Sequence, residues 1–349
     1  PLRGEEEPQS LDFPSIPDEV RAMPGGFVVG GDSGNLVAID AVRGRISARW
    51  SSRESLRPSG HKPEDIAVLA EHGLAVVSFQ KDSSSGKHRG SRVAVLRLPG
   101  LSLVADLELP RDRPELHIPG NRKEQGPNPE VLVLCPRTNT MLLTLDLYGA
   151  VLLSDLDALL EGRLANERVI SADLQGRYGV AFPDRTARAA IAGGEAIVVA
   201  NAGEDGGVAA FDLAGRRRLA ANDAPPGLDT LVHLPTIGAV AAATAGKIKR
   251  RSEGEVVKGS RPGREIGVID LSRLESGEMP LSLLGVGEPC HAIAAIDPSR
   301  GAKVLAVLGG DRRTLALLEI AREEDGRFLL RELWRTAAAG EIQRVVRRP

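Results

Sequence analysis

Cysteine, aromatic side chains and long apolar runs are all scarce in this chain. The only cysteines among 349 residues are Cys135 and Cys290, too few for a disulfide scaffold and without the CxxC spacing of a zinc site. No run approaches the roughly 20 apolar residues that a membrane-spanning helix needs, and no charged-then-apolar leader is present. The sequence starts at Pro1, which leaves a processed leader open. Aromatics make up 3% of the chain, so a core has to come from Val, Leu, Ile and Ala, a composition that suits short strands packed face to face. A formal charge of −2 removes the global electrostatic case for nucleic acid as the main partner. There is no GxSxG elbow, no P-loop and no GxGxxG-plus-acid fingerprint. His61, His72, His88, His117 and His233 show no HxH or HxxxH spacing, which leaves an enzyme reading without nucleophile, base or cofactor box.

What the chain has is repetition. An alternating strand recurs as NLVAID (Asn35–Asp40), RVAVLRL (Arg92–Leu98), VLLSDL (Val151–Leu156), GVAAFDL (Gly207–Leu213), IGVIDL (Ile266–Leu271) and LALLEI (Leu315–Ile320). Copies built only of short strands, some 50–60 residues apart, predict an all-β fold: a single β-propeller of six four-stranded antiparallel blades, with seven as the alternative count. The propeller is expected over residues 17–334, after an extended lead-in (1–16) and before a C-terminal tail (335–349). Inner strands are expected from Pro17, Pro63, Pro129, Asp184, Leu228 and Pro289, with outer strands ending each unit. Those outer strands read as short or charged, which keeps an exposed edge from pairing with another chain.

Inserts and polar positions then suggest where a site would lie. The longest inserts, Ser51–Lys62, Gln80–Ser91, Pro110–Asn128 and Ala245–Glu265, all fall between an outer strand and the next inner one, or between second and third strands. Both connection classes lie on one face of a propeller, and long loops on a rigid scaffold are where binding residues collect, although such inserts are also tolerated as neutral additions. At the start of the inner strands, Asp18, Glu64, Glu130 and Asp229 put an acid in four of six units. That is a candidate calcium site at the channel mouth, or carboxylates simply facing water. Cys290 and His291 are neighbours, but adjacent strand residues point to opposite faces, so both read as structural. Lys247–Arg264 (KIKRRSEGEVVKGSRPGR) holds seven basic residues and two acids. Lys247, Lys249, Arg250, Arg251, Arg261 and Arg264, with Arg122 and Lys123 from another insert, form a candidate basic rim for an acidic protein partner. The lack of interleaved aromatics argues against single-stranded nucleic acid.

The segments Gly287–Ile320 and Ala196–Ala221 resemble the YVTN/surface-layer type of propeller repeat, and Gly30–Trp50 resembles a quinoprotein-type blade. Quinoprotein dehydrogenases hold their cofactor with adjacent cysteines and stacked Trp; here the cysteines are far apart and the only tryptophans are Trp50 and Trp334, so no cofactor is expected beyond a possible Ca2+ in the central channel. The resemblance implies a periplasmic or extracellular setting and a non-catalytic propeller binding a partner protein through its long-loop face, as subunit or accessory of a complex. The alternative is a lactonase-like hydrolase with a divalent ion in the acidic mouth.

Overall fold

The computed structural model describes residues 12–15, 17–56, 61–81, 91–109, 128–146, 150–171, 187–192, 196–201, 207–212, 217–222, 227–244, 247–252, 255–260, 262–296 and 300–342. They form six successive four-stranded antiparallel sheets, the blades of a six-bladed β-propeller. Blade one is β1 (Pro17–Met23), β2 (Gly26–Gly31), β3 (Asn35–Asp40) and β4 (Arg45–Ser51); after α1 (Ser52–Ser55), blade two is β5 (His61–Leu69), β6 (Leu74–Lys81), β7 (Arg92–Arg97) and β8 (Ser102–Glu108). Blade three is β9 (Asn128–Cys135), β10 (Thr140–Asp146), β11 (Ala150–Asp155) and β12 (Arg168–Ser171), with α2 (Leu156–Leu160) before β12. Blade four is β13 (Ala187–Ala192), β14 (Ala196–Asn201), β15 (Val208–Asp212) and β16 (Arg218–Asn222). Blade five is β17 (Leu228–Leu234), β18 (Ala239–Thr244), β21 (Glu265–Asp270) and β23 (Leu281–Gly285); between them lie the ribbon β19 (Lys247–Ser252) and β20 (Glu255–Ser260) and the two-residue β22 (Gly277–Glu278). Blade six is β24 (Cys290–Ile296), β25 (Lys303–Leu308), β26 (Thr314–Arg322) and β27 (Phe328–Ala337).

The chain falls into two compact units, residues 1–109 with blades one and two, and residues 110–347 with the other four. In each unit the core consists of layers between neighbouring blades. One layer joins Val28, Leu36 and Trp50 of blade one to Ile66, Val77 and Phe79 of blade two. In the second unit, alternate residues of β14 serve two layers: Ile197 and Val199 pack with blade three, and Val198 and Ala200 with blade five. The same split occurs in β18, where Ala241 and Ala243 pack toward blade six and Val240 and Ala242 toward blade four. A strand buried on both faces has no polar side to reveal its period, so these segments read as continuous apolar runs.

Five of the six inner strands carry one extra residue against their neighbour. The register slips between Pro17 and Glu19, Pro63 and Asp65, Pro129 and Leu132, Asp229 and Val232, and Cys290 and Ala292. A bulge leaves ladder groups unpaired, and in blades two and three a fully buried hydroxyl on the second strand takes up the orphan amide. Ser78 Oγ accepts the Asp65 N–H at 3.1 Å, and Thr144 Oγ1 accepts the Val131 N–H at 2.9 Å.

Two expectations are revised. The basic insert after β18 is a two-stranded ribbon and not a loop, and the outermost strand of blade six runs on to Ala337. Edge protection is also uneven. β4 exposes Arg45, Ser47 and Arg49, and β16 is covered by β22, which pairs parallel to it at Ala220–Gly277 and Ala221–Glu278. β27 has ten residues and exposes Leu329, Leu333 and Trp334.

Thr144→Val keeps the shape but removes the acceptor, so it is expected to lower stability by about 1–3 kcal/mol, the cost of an unsatisfied buried amide. A denaturant midpoint equal to that of the parent protein would mean that the bulge amide finds another acceptor.

Candidate functional site

In an antiparallel blade the inner strand starts, the second strand ends, the third starts and the fourth ends at one edge of the sheet. In blade two that edge is marked by the pairs His61–Lys81, Phe79–Arg92 and Arg92–Glu108, and the inserts 51–62, 80–91 and 110–128 all depart from it. In blade five it is marked by Leu228–Thr244 and Glu265–Gly285, where the ribbon is inserted. The bulges sit at this same end. Blades two and five therefore present a bulge and their inserts at one end, where a bulge can re-aim a side chain.

Counting from the second strand aligns the bulges. Asp18, Glu64, Thr230 and His291 occupy equivalent extra positions, and Glu130 lies in the corresponding slip of blade three. Asp229 stands one place earlier, level with Pro17 and Pro63. Its carboxylate is buried and accepts the N–H of Thr230 at 2.8 Å. Thr230 has φ of 51°, a left-handed conformation that a β-branched residue rarely takes, and its hydroxyl accepts the Ile293 N–H of blade six at 3.3 Å. Glu64 is half-buried, with Lys62 Nζ 4.0 Å away; that ammonium also meets Asp32 at 3.0 Å. The side chains of Asp18 and Glu130 lie outside the described residues. Among the described residues no three His, Cys, Asp or Glu side chains group closely enough to hold a metal ion, and the calcium reading stays an expectation from sequence.

The residue after the bulge is more informative than the bulge residue itself. Glu19 and Asp65 are buried, and Arg21 of β1 joins them: it bonds Asp65 across the two blades and lies 3.2 Å from Glu19. Burial pushes the Arg21 guanidinium pKa down, but the charges of Asp65 and Glu19 outweigh it and the net shift is upward. Glu19 and Arg21 stand two residues apart in the segment PDEVRA, but nothing in the sequence joins them to Asp65. The Arg21 guanidinium stands between two buried carboxylates, so the cluster reads as a clamp between blades one and two.

Cys290 is fully buried, and burial pushes its thiol up to about 12. His291 Nε2 lies 2.8 Å from the Gly309 carbonyl. Its pKa is lowered first by burial and further by Arg312, while the Gly309 bond and Glu341 oppose the shift. The pair therefore offers no thiolate–imidazolium nucleophile. At the opposite end of blades five and six an open cleft of about 240 Å³ is lined by Asp270, Arg273, Pro280, Ser282 and Phe328. At this cleft Arg322 is committed to Asp270 at 2.8 Å and lies over the Phe328 ring at 5.7 Å, an internal tie between the two blades.

Of the basic rim, Lys247, Lys249, Arg250 and Arg251 lie on β19, with Lys249 opposite Lys258 and Arg251 opposite Val256. By period two, positions 247, 249, 251 and 258 share one face of the ribbon. Arg264 is exposed just before β21, whereas Arg261, Arg122 and Lys123 lie outside the described residues.

No family profile and no curated protein matches this sequence. Solved structures do. The chain is similar to one in a Mitotic Checkpoint Complex structure (11% identity, 98% of this chain and 90% of that one, TM-score 0.62). It is similar to the Neurospora crassa Pan2 WD40 domain (8%, 90% and 78%, TM-score 0.57) and to a chain of Kuenenia stuttgartiensis hydrazine synthase (14%, 91% and 80%, TM-score 0.60). At these identities the likeness shows the fold alone, a β-propeller. Among the described residues no helix is long and apolar enough to cross a membrane.

Two measurements probe this region. Arg21→Met is expected to cost about 1–3 kcal/mol, less than for a fully buried pair because a third of the Arg21 side chain meets water; unchanged thermal unfolding would remove its role as a clamp. At pH 8 an alkylating reagent should modify half-buried Cys135 first and Cys290 only on unfolding, and equal rates in the folded protein would contradict the buried, protonated thiol.

Proposed function

We propose that this chain is a non-catalytic β-propeller that binds another protein through the insert-bearing ends of its blades, as a subunit or accessory of an extracytoplasmic complex. The observation that carries this reading is the ribbon β19–β20, a basic element of regular structure raised from the same blade end as the bulge of blade five. A ribbon holds its charges at fixed spacing, which favours recognition of a complementary acidic surface. Lys247, Lys249, Arg250, Arg251, Arg261 and Arg264 would supply the contact, with Arg122 and Lys123 from the insert after blade two. The WD40-type neighbours, one of them in a multiprotein checkpoint assembly, agree with a scaffold role. The extracytoplasmic setting rests on the YVTN/surface-layer likeness of the repeats.

Neutralising Lys249, Arg250 and Arg251 together should slow association with the native partner about tenfold or more at low salt and flatten its salt dependence, because exposed charges act chiefly on encounter. Stability should hardly change, since among the described strands β19 and β20 pair only with each other. An untagged pull-down from the native source supplies the partner, and surface-based kinetics read the rate. An on-rate identical to the parent's at low salt would remove the ribbon from the interface.

A further inference from the structure

We propose that Arg312, on the turn between β25 and β26, receives an acidic side chain of the partner, and that the chain after β27 fills that place with its own Glu341 until the partner arrives. The proposal rests on the acidic-partner reading above and adds to it a second contact and a means of regulation. The turn 309–313 lies at the insert-bearing end of blade six, which is marked by the pairs Cys290–Leu308 and Thr314–Ala337. Backbone bonds tie it to the base of the basic ribbon. Gly263 donates to the Thr244 carbonyl at 2.8 Å, Cys290 donates to the Gly263 carbonyl at 2.8 Å, and Gly309 donates to the Pro289 carbonyl at 2.9 Å. Arg312 and the ribbon therefore belong to the same end of blades five and six.

The Arg312 guanidinium is under-satisfied. Its Nε–H is buried and among the described residues has no acceptor, and its ion pair with Glu341 is 3.6 Å long. A charge-assisted bond spans roughly 2.7–2.9 Å, and a carboxylate set in the arginine fork makes two of them. The Arg312 backbone is left-handed, with φ of 55°, a conformation rare for such a residue and of the kind that binding sites retain under strain. The acids nearby are engaged: Glu288 bonds Arg335, and Asp311 accepts the Arg313 N–H at 3.2 Å. Arg264 and Arg313 add exposed positive charge at this end. The strap of residues 338–342 is lightly held. Ala338 donates to the Arg313 carbonyl at 2.6 Å and Ile342 to the Arg312 carbonyl at 2.9 Å, and the side chains of the Arg312–Glu341 pair are 31% and 49% exposed. An exposed ion pair of this length adds little, so a better-placed carboxylate displaces it.

Fluorescence anisotropy of a labelled octaglutamate peptide, with octaglutamine as the neutral control, reads this on the full chain at low salt and about pH 7, where the glutamates are ionised. Glu341→Gln removes the internal competitor and should tighten binding about two- to fivefold, the size of one exposed ion pair. Arg312→Met should weaken binding by a similar factor, and in the double variant the gain from Glu341→Gln should vanish, because no guanidinium is left to release. Neutralising Lys249, Arg250 and Arg251 separates this proposal from the reading it rests on. Loss of peptide binding in that variant, with affinity unchanged by Glu341→Gln, keeps the ribbon as the docking element and overturns the strap. Tighter binding by Glu341→Gln with no effect of the ribbon variant upholds the strap and removes the ribbon. A Glu341→Gln variant that only unfolds at a lower temperature, or a gain that survives in the Arg312→Met background, makes the strap a structural fastening and overturns the proposal.

Discussion

Every blade here is too thin to bury itself, and the structure depends on the contact of one sheet face with the next. The middle strands show the constraint most directly, since each residue step along β14 or β18 changes which neighbour is touched. Burial on both sides removes apolar surface at about 25 cal/mol per Å² without leaving a wet face. It also explains the composition. Ala239, Ala241, Ala242 and Ala243 in β18 let two neighbours approach closely, and a ring in their place would force the layers apart. Aromatic contact is kept for a place with room, where Trp50 and Phe79 meet with centroids 5.7 Å apart.

The second constraint is the bulge that opens most blades. It breaks the ladder near the start of five of the six inner strands, and the blades answer it with different side chains. Ser78 and Thr144 supply hydroxyls, Asp229 holds the amide of Thr230 in its left-handed turn, and His291 meets the Gly309 carbonyl. Such irregular positions are free to vary while the layers behind them stay fixed, which is how one scaffold hosts many sites.

Much of this was legible in the sequence, because period-two runs between Gly, Asp and Pro turns mark strand ends well. Each of the six third strands starts within one residue of where the pattern places it. The bulges were not legible. An extra residue has no compositional mark, so Asp229 reads as level with Glu64 when Thr230 is its counterpart. The ribbon was hidden for a different reason: KIKRRS and EVVKGS carry no apolar alternation to mark them as strands. The Arg21 clamp escaped because its carboxylates, Glu19 and Asp65, lie on different strands, and nothing local in the chain joins them.

The short strand β22 has a further consequence for how the second unit comes apart. It belongs by sequence to blade five, between β21 and β23, yet it finishes the sheet of blade four. Blade four thus has no complete outer edge until the chain of blade five has been made and folded back. In hydrogen exchange the two blades should behave as one cooperative unit, with the amides of β16 and of the segment around Gly277 opening together. During synthesis the same stitch delays closure of blade four by more than fifty residues, the span from Asn222 to Gly277, and leaves its edge open to the wrong partner for that interval.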